Sequence, residues 1–308
     1  MKKIVIISNV RMMFLFMLLN RTPLDEVFFI FDESLEHYVY KFKNTITVRK
    51  SKRLPDLFWL SIYYTCKFYY LRVKYKLFNL PVYGADHISG AKFFLRRHNF
   101  FLLEDGTANY ANKSYHRSLK NRLFSIPVFG VHKNVKKIYL TSANNLPRDI
   151  LHKVEIVNIK ELWDSKSERE KKEIFDIFGV KDEILSTIRE KIYILYTQPL
   201  SEDGVLSQEE KMDIYKSILS ELRIDTKKLV IKTHPREKTN YYEDFPNSYV
   251  LREHIPAELI AISCHNFEKV VTLFSTSVYE HEKSLVHFYG TKVHNKLIER
   301  FGNIEFDH

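Results

Sequence analysis

The sequence predicts an α/β fold with parallel strands, and three observations predict it. Short runs rich in Val, Ile, Phe and Tyr recur along the chain, each followed by a polar turn and then a longer stretch with helical spacing, the order that βαβ units impose. Glycine and proline are few, 8 and 9 in 308 residues, which argues against a loop-rich all-β protein or a low-complexity chain. An apolar share of 45% over that length is enough for one large or two medium cores, so two domains are expected.

The first run, KIVIIS, is a buried strand from Ile4 to Ile7, followed by a polar turn and a helix. The N-terminal residues look briefly like a signal peptide, but Asn9, Arg11 and Asn20 interrupt the apolar run and no small-residue cleavage site follows. VFFIF, NFFLLE, KKIYLT and VEIVN supply further strands in the first half; KIYILYT, KLVIKTH, KVVTLFS and LVHFYG supply those of the second. SEREKKEIFDIFG (Ser167 to Gly179) and SQEEKMDIYKSILSELR (Ser207 to Arg223) carry apolar residues at helical spacing. Ser207 followed by Glu210 forms a capping box that sets where the second one starts. The charged segment Trp163 to Lys172 is the expected hinge, giving domains over 1–165 and 166–308.

The net charge of +10 points to an anionic partner: nucleic acid, a nucleotide-charged substrate or an acidic membrane surface. Leu54 to Tyr83 interleaves Lys67, Arg72, Lys74 and Lys76 with Phe, Tyr, Trp and Leu. That pattern suits an interfacial helix on anionic lipid, or equally a buried amphipathic helix whose basic side chains snorkel to water. Cys66 and Cys264 fit neither a disulfide framework nor a zinc site, so a reducing compartment is expected. No stretch reaches the roughly 20 unbroken apolar residues of a membrane span.

In open parallel sheets ligands bind beyond the carboxyl ends of the strands, and four polar clusters fall there. Glu104-Asp105-Gly106-Thr107 follows the run Phe100 to Leu103; paired carboxylates can split their pKa values and leave one as a base, although Asp-Gly is also an ordinary turn. His234-Pro235-Arg236-Glu237 closes the strand Lys228 to Lys232, and proline keeps His234 out of helical geometry, where it can serve a departing phosphate or simply lie on a surface turn. Ser275-Thr276-Ser277 precedes an expected helix through Val278 and Glu280, a place for an anion or for a plain N-cap. Gln198 to Gly204, with Glu202 and Asp203, follows Lys191 to Tyr196. The chain has no Asp-x-Asp, Walker loop, G-x-G-x-x-G or H-E-x-x-H, which removes most of the case for a kinase, a dinucleotide-dependent dehydrogenase or a zinc hydrolase.

In their order, EDGTANY (Glu104 to Tyr110), THPRE (Thr233 to Glu237) and FSTS (Phe274 to Ser277) resemble the acid-acid-Gly, His-Pro and Ser/Thr motifs of bacterial sialyltransferases. The chain is most similar to glycosyltransferase family 52, the lipooligosaccharide sialyltransferases, from about Tyr83 onward. The resemblance implies a GT-B fold with two Rossmann-like domains facing a central cleft, the first on the acceptor side and the second holding the donor. It implies CMP-sialic acid as donor, a terminal galactose of a lipid-linked lipooligosaccharide or capsule glycan as acceptor, inversion, and no metal or other cofactor. His234 matches the histidine on the CMP side. Ser275, Thr276 and Ser277, with Glu104, Gly106, Gln198, Pro235 and Arg236, match donor-side positions. The base falls on Asp203 or Glu202 in some relatives and on Asp105 in others, and extra residues in the loop of Glu202 and Asp203 depart from the family pattern. The resemblance also implies a homodimer without nucleic acid, peripheral at the cytoplasmic face of a bacterial membrane. Two rival readings remain at this point: an α-glucosyltransferase of the same family using a UDP-sugar, and a non-catalytic basic membrane-binding module.

Overall fold

The computed structural model describes residues 1–49, 54–88, 90–105, 127–142 and 146–306. The chain parts into two compact units, Met1–Ile177 and Phe178–His308, each built on its own parallel sheet.

The first unit holds β1 (Lys3–Ile7), β2 (Val27–Asp32), β3 (Thr45–Val48), β4 (Val82–Gly84), β5 (Phe100–Leu103), β6 (Val135–Leu140) and β7 (Val154–Ile156). They lie in the order β3-β2-β1-β4-β5-β6-β7, every neighbouring pair parallel. The order reverses between β1 and β4, which is the switch point where doubly wound sheets open a crevice. β2 is buried along its whole length and β1 almost so, the reason both read as continuous apolar runs. The helices described in this unit are α1 (Val10–Leu19), α2 (Leu54–Lys74), α3 (Ala91–Leu95), α4 (Ile159–Asp164) and α5 (Glu168–Phe178), the last running one residue into the second unit. Asn9 starts α1 by accepting the Met12 amide at 2.8 Å.

The second unit holds β8 (Tyr193–Tyr196), β9 (Leu229–Lys232), β10 (Tyr249–Leu251), β11 (Lys269–Thr272) and β12 (Val286–Phe288), ordered β10-β9-β8-β11-β12 and again all parallel. Its switch point falls between β8 and β11. The helices are α6 (Asp182–Arg189), α7 (Gln208–Glu221), α8 (Ala257–Ser263) and α9 (Asn295–Phe301). The capping box of α7 is formed as expected: the Glu210 amide donates to Ser207 Oγ at 3.1 Å, and the Ser207 amide to Glu210 Oε2 at 2.8 Å. Tyr215 and Leu219 of α7 pack with Leu229, Ile231, Val271 and Tyr241 into the core of this unit.

Three expectations are corrected. The aromatic-basic segment is not one helix to Tyr83: α2 ends at Lys74, and Val82–Gly84 enters the sheet as β4. The charged stretch 163–172 is no open hinge, because Trp163 is buried against Phe14 and Phe175, and Lys166 donates to the Asn20 carbonyl at 2.7 Å; the division comes later, after Ile177. After Ser275 the chain makes only a short 3₁₀ turn, Thr276–Val278, rather than a helix reaching Glu280.

Gly84 closes β4 at φ +116°, and a Cβ there would stand 1.9 Å from the Ile6 carbonyl oxygen of β1. Only glycine lets these central strands meet while the chain turns out toward Asp86 and His87. Gly84→Ala is therefore expected to destabilise the protein by about 3 kcal/mol or more, read as a lowered urea midpoint. An unchanged midpoint would show that this approach is not tight.

Candidate active site

At the carboxyl edge of the second sheet, the loops after β8, β9 and β11 are tied together. The Phe274 amide donates to Gln198 Oε1 at 3.4 Å, joining the β11 and β8 loops. Thr197 Oγ1 donates to Glu237 Oε2 at 2.5 Å, and the His234 amide donates to the same oxygen at 2.7 Å, joining the β8 and β9 loops. Three of the four sequence clusters thus share one edge. They carry His234, Pro235 and Arg236; Gln198, Glu202 and Asp203; and Ser275, Thr276 and Ser277.

Beneath this edge lies Lys211 of α7, with 0% of its side chain exposed. Its ammonium donates to Glu237 Oε1 at 2.6 Å and Thr239 Oγ1 at 2.9 Å, and lies 3.3 Å from Glu202 Oε2. Tyr241 also donates to Glu237, at 2.7 Å. Glu237 therefore has two donors on each oxygen, which is what a buried carboxylate requires.

His234 sits on this framework. The Arg236 amide donates to His234 Nδ1 at 3.2 Å, so the neutral ring carries its proton on Nε2. Burial, then the Arg236 charge, lower its pKa, with Glu237 opposing; without ligand the ring is neutral at neutral pH and Nε2–H is a hydrogen-bond donor. A phosphate dianion beside it would push that pKa back up. Lys232, two residues earlier at the end of β9, is buried and brought down to about 8 by desolvation, against the pull of Glu253, Glu237 and Glu258. Its ammonium donates to the Thr233 and Glu253 carbonyls at 3.1 and 3.0 Å.

The two acids of the β8 loop differ. Burial would raise the Glu202 pKa, but amide donors including Lys238, the Lys211 charge and the Thr239 hydroxyl outweigh it and hold the group at about 2. Asp203 takes the fork of Arg236, at 2.5 and 3.0 Å, on a more exposed part of the loop. Ser275 Oγ accepts the Ser277 amide at 3.3 Å, and the Ser275 amide donates to Thr272 Oγ1 at 3.1 Å. The hydroxyl row is thus ordered by a turn, not by the helix N-terminus expected from sequence.

The fourth cluster belongs to the first unit. Glu104 is buried, with Oε1 3.0 Å from Arg11 Nη2 and Oε2 accepting the Thr141 amide at 2.6 Å. Arg11 also donates to Thr141 Oγ1 at 2.8 Å. Glu104 therefore ties α1 to the end of β6. Asp105 Oδ1 accepts from Ser8 Oγ at 2.6 Å and from the Asn9 side-chain amide, and its Oδ2 lies 3.1 Å from His87 Nε2. Gly106 and the rest of EDGTANY lie outside the described residues. Sequence reasoning missed Ser8, Arg11 and His87 as site residues, and missed Lys211. A lysine one turn before Tyr215, on the apolar stripe of α7, was a readable signal for Lys211.

With the geometry in hand, comparison with known proteins decides the family. Residues 26–297 match the sequence profile of glycosyltransferase family 52. The chain belongs to that family. It is also 47% identical over 310 residues to an uncharacterised protein of Haemophilus influenzae strain Rd, covering 100% of both chains. Among solved structures it is similar to the GT-B domain of a sialyltransferase from Photobacterium damselae, with TM-score 0.56, 12% identity, and 93% and 90% of the two chains covered. A second sialyltransferase structure from Photobacterium damsela gives TM-score 0.52 at 11% identity, over 92% of this chain and 73% of that one. At such identities the likeness concerns the fold, which is GT-B. Membership of family 52 makes the protein a glycosyltransferase.

Because Glu202 has a lower pKa folded than its ordinary value, its ties add stability above the usual carboxylate range and lose it as pH falls toward 2. Glu202→Gln is expected to flatten the acid limb of stability between about pH 5 and pH 2, measured as the urea midpoint against pH. An acid limb identical to wild type would show that the ties contribute nothing.

Proposed function

We propose that this family 52 enzyme is an inverting, metal-independent sialyltransferase that moves sialic acid from CMP-sialic acid to a terminal galactose of a bacterial lipooligosaccharide or capsule glycan. The observation that carries this reading is the carboxyl edge of the second sheet, whose three loops, tied together through Glu237 and Gln198, carry His234 with its Nε2–H, Arg236 and the Ser275–Ser277 turn. CMP leaves as a phosphate monoester. It has no pyrophosphate to chelate, so placed donors can meet its charge where a nucleoside diphosphate calls for a cation. The absence of Asp-x-Asp from the sequence agrees with that chemistry. His234 donates to the phosphate and, once the phosphate raises its pKa, protonates it as the general acid.

The test is direct. Incubated with CMP-sialic acid and a galactosyl acceptor, the protein is expected to release CMP and form sialylated product, with EDTA having no effect. Release of UDP from UDP-glucose instead would establish the glucosyltransferase reading. His234→Ala is expected to lower kcat about a hundredfold; a near-wild-type rate removes His234 from the chemistry.

The same reading places the enzyme on the cytoplasmic face of an anionic membrane. α2 buries the stripe Tyr64, Phe68 and Leu71 and leaves Trp59, Tyr63, Tyr70 and Val73 exposed, Trp59 by 68% and Tyr70 by 62%. Lys67 lies over Tyr63 and Lys74 over Tyr70, at 5.5 and 5.8 Å from the ring centroids. No helix among the described residues is long and apolar enough to cross a bilayer, and the proposed attachment is through this face. Aromatics at headgroup depth with cations beside them suit anionic lipid, whereas the same face of a second copy would set cation against cation. Binding to phosphatidylserine vesicles, weaker in high salt and lost in a Trp59→Ser, Tyr63→Ser, Tyr70→Ser variant, is expected by sedimentation. Equal binding of variant and wild type would move the contact elsewhere.

A further inference from the structure

We propose that Lys232 is a positioning residue at the carboxyl edge of the second sheet, and that its buried ammonium takes its countercharge from the phosphate of the donor. Donor binding and the charge on Lys232 are then linked. The role rests on the sialyl-transfer reading above and lies wholly within the second unit. Two buried lysines stand beneath this edge, and their surroundings differ. Lys211 is neutralised in place, with Glu237 at 2.6 Å and Glu202 at 3.3 Å. Lys232 is 5% exposed and, among the described residues, donates only to carbonyls, those of Thr233 at 3.1 Å and Glu253 at 3.0 Å. Carbonyl dipoles orient an ammonium without cancelling its charge.

The place of Lys232 in the fold says what that charge can serve. It closes β9, where its register partners are Tyr196 of β8 and Leu251 of β10. Thr233 follows, its hydroxyl donating to the Leu251 carbonyl at 3.3 Å, and His234 is next. The ammonium thus pins the first residue of the His-Pro loop to the loop after β10, where Glu253 lies. The titratable groups around it come from every neighbouring element. Glu253 after β10, Glu237 in the His-Pro loop and Glu258 of α8 favour its charged form. Tyr196 is buried beside it on β8, its hydroxyl 2.7 Å from His281 Nε2. His234 senses the lysine directly, the Lys232 charge being one of the causes that lower the imidazole pKa.

A cation withdrawn from water without a paired anion is costly to hold. Burial leaves Lys232 at about 8, so it is charged at neutral pH and gives up its proton just above. A phosphate dianion taken up beside His234 acts in the opposite sense to burial and raises that value. Binding therefore draws a proton onto Lys232 at any pH between its free and bound values. CMP affinity, full below about pH 8, falls as pH rises through that interval. Each unit by which the phosphate raises the value corresponds to about tenfold in affinity. CMP itself is already a dianion there, since the second pKa of a phosphate monoester is about 6.

The experiment titrates wild type, His234→Gln, Lys232→Arg and Lys232→Met with CMP by calorimetry at about pH 8.5, in two buffers of different ionisation enthalpy. Wild type is expected to take up roughly half a proton or more per CMP bound, and to lose about tenfold in affinity between about pH 7 and about pH 9.5. His234→Gln is expected to keep the uptake, because Lys232 is intact. Lys232→Arg, whose guanidinium stays charged, is expected to bind CMP without uptake, and Lys232→Met to bind about tenfold more weakly at about pH 7. A lysine that only shapes the loop gives wild-type binding without proton uptake, and that result overturns the proposal. Uptake retained in Lys232→Arg overturns it as well, and uptake lost in His234→Gln does so by assigning the proton to the imidazole. Wild type and His234→Gln decide the matter even where a Lys232 variant fails to fold. A wild-type protein that binds no CMP at any pH overturns the sialyl-transfer reading first, and this role with it.

Discussion

A lysine fully withdrawn from water, Lys211, meets a carboxylate, Glu237, that is almost equally withdrawn, and the carboxyl edge of the second sheet hangs from that meeting. Hiding either charge alone would be opposed by several kcal/mol of lost hydration. The pair is tolerable because each partner is satisfied. Lys211 reaches Glu237, Thr239 and Glu202, while Glu237 receives Lys211, Tyr241, Thr197 and the His234 amide. Those groups come from α7, from the end of β8 and from the loop after β9, so the arrangement that satisfies the ions also sets the course of the His-Pro loop. Buried polar groups contribute modestly to stability but strongly disfavour alternatives in which one partner is left over. His234 is held by its amide in such an arrangement, and its ring is oriented by the Arg236 amide.

Much of this was legible in the sequence, because parallel strands buried on both faces announce themselves as apolar runs. β1, β2, β5, β6, β7, β8, β9, β11 and β12 each lie within or beside a run that reads as a strand. The strands that escaped were β3, β4 and β10, of four, three and three residues. Val82–Gly84 is hidden at the end of an aromatic-basic stretch, and its place between β1 and β5 is set by long-range pairing that no local pattern carries. With β4 invisible, His87 had no strand end to sit on. That is the physical reason the partner of Asp105 went unread although Asp105 itself did not. The clusters around His234, Gln198 and Ser275 were readable because each follows a recognisable strand. What those clusters bond to was not readable, since Lys211 and Glu237 meet across 26 residues of chain.

The two sheets bring opposite chemistry to their carboxyl edges. The second gathers Lys211 and Lys232 beneath, Arg236 and His234 above, and backbone amides throughout, a setting that favours a ligand bearing phosphate. The first gathers Glu104, Asp105 and Asp86, with Arg11 and His87 as their partners. Carboxylates with hydroxyl and amide neighbours are suited to neutral polyols, whose hydroxyls both donate and accept. A glycosyltransferase has to manage both kinds of surface, an anion that leaves and an alcohol that attacks.

Within the second edge, the ties differ in how readily a ligand can replace them. The contacts of Glu237 are buried, and undoing one would strand a charge away from water. The Arg236–Asp203 pair is more exposed, 62% and 33% by side chain, and exposed ion pairs are worth only about 0–1 kcal/mol. A phosphate entering this edge can therefore take the Arg236 fork with little opposition, exchanging one bidentate oxyanion for another. The rigid part of the site and the exchangeable part are thus adjacent in sequence, at Glu237 and Arg236. One residue keeps the loop in place while its neighbour's guanidinium stays exchangeable.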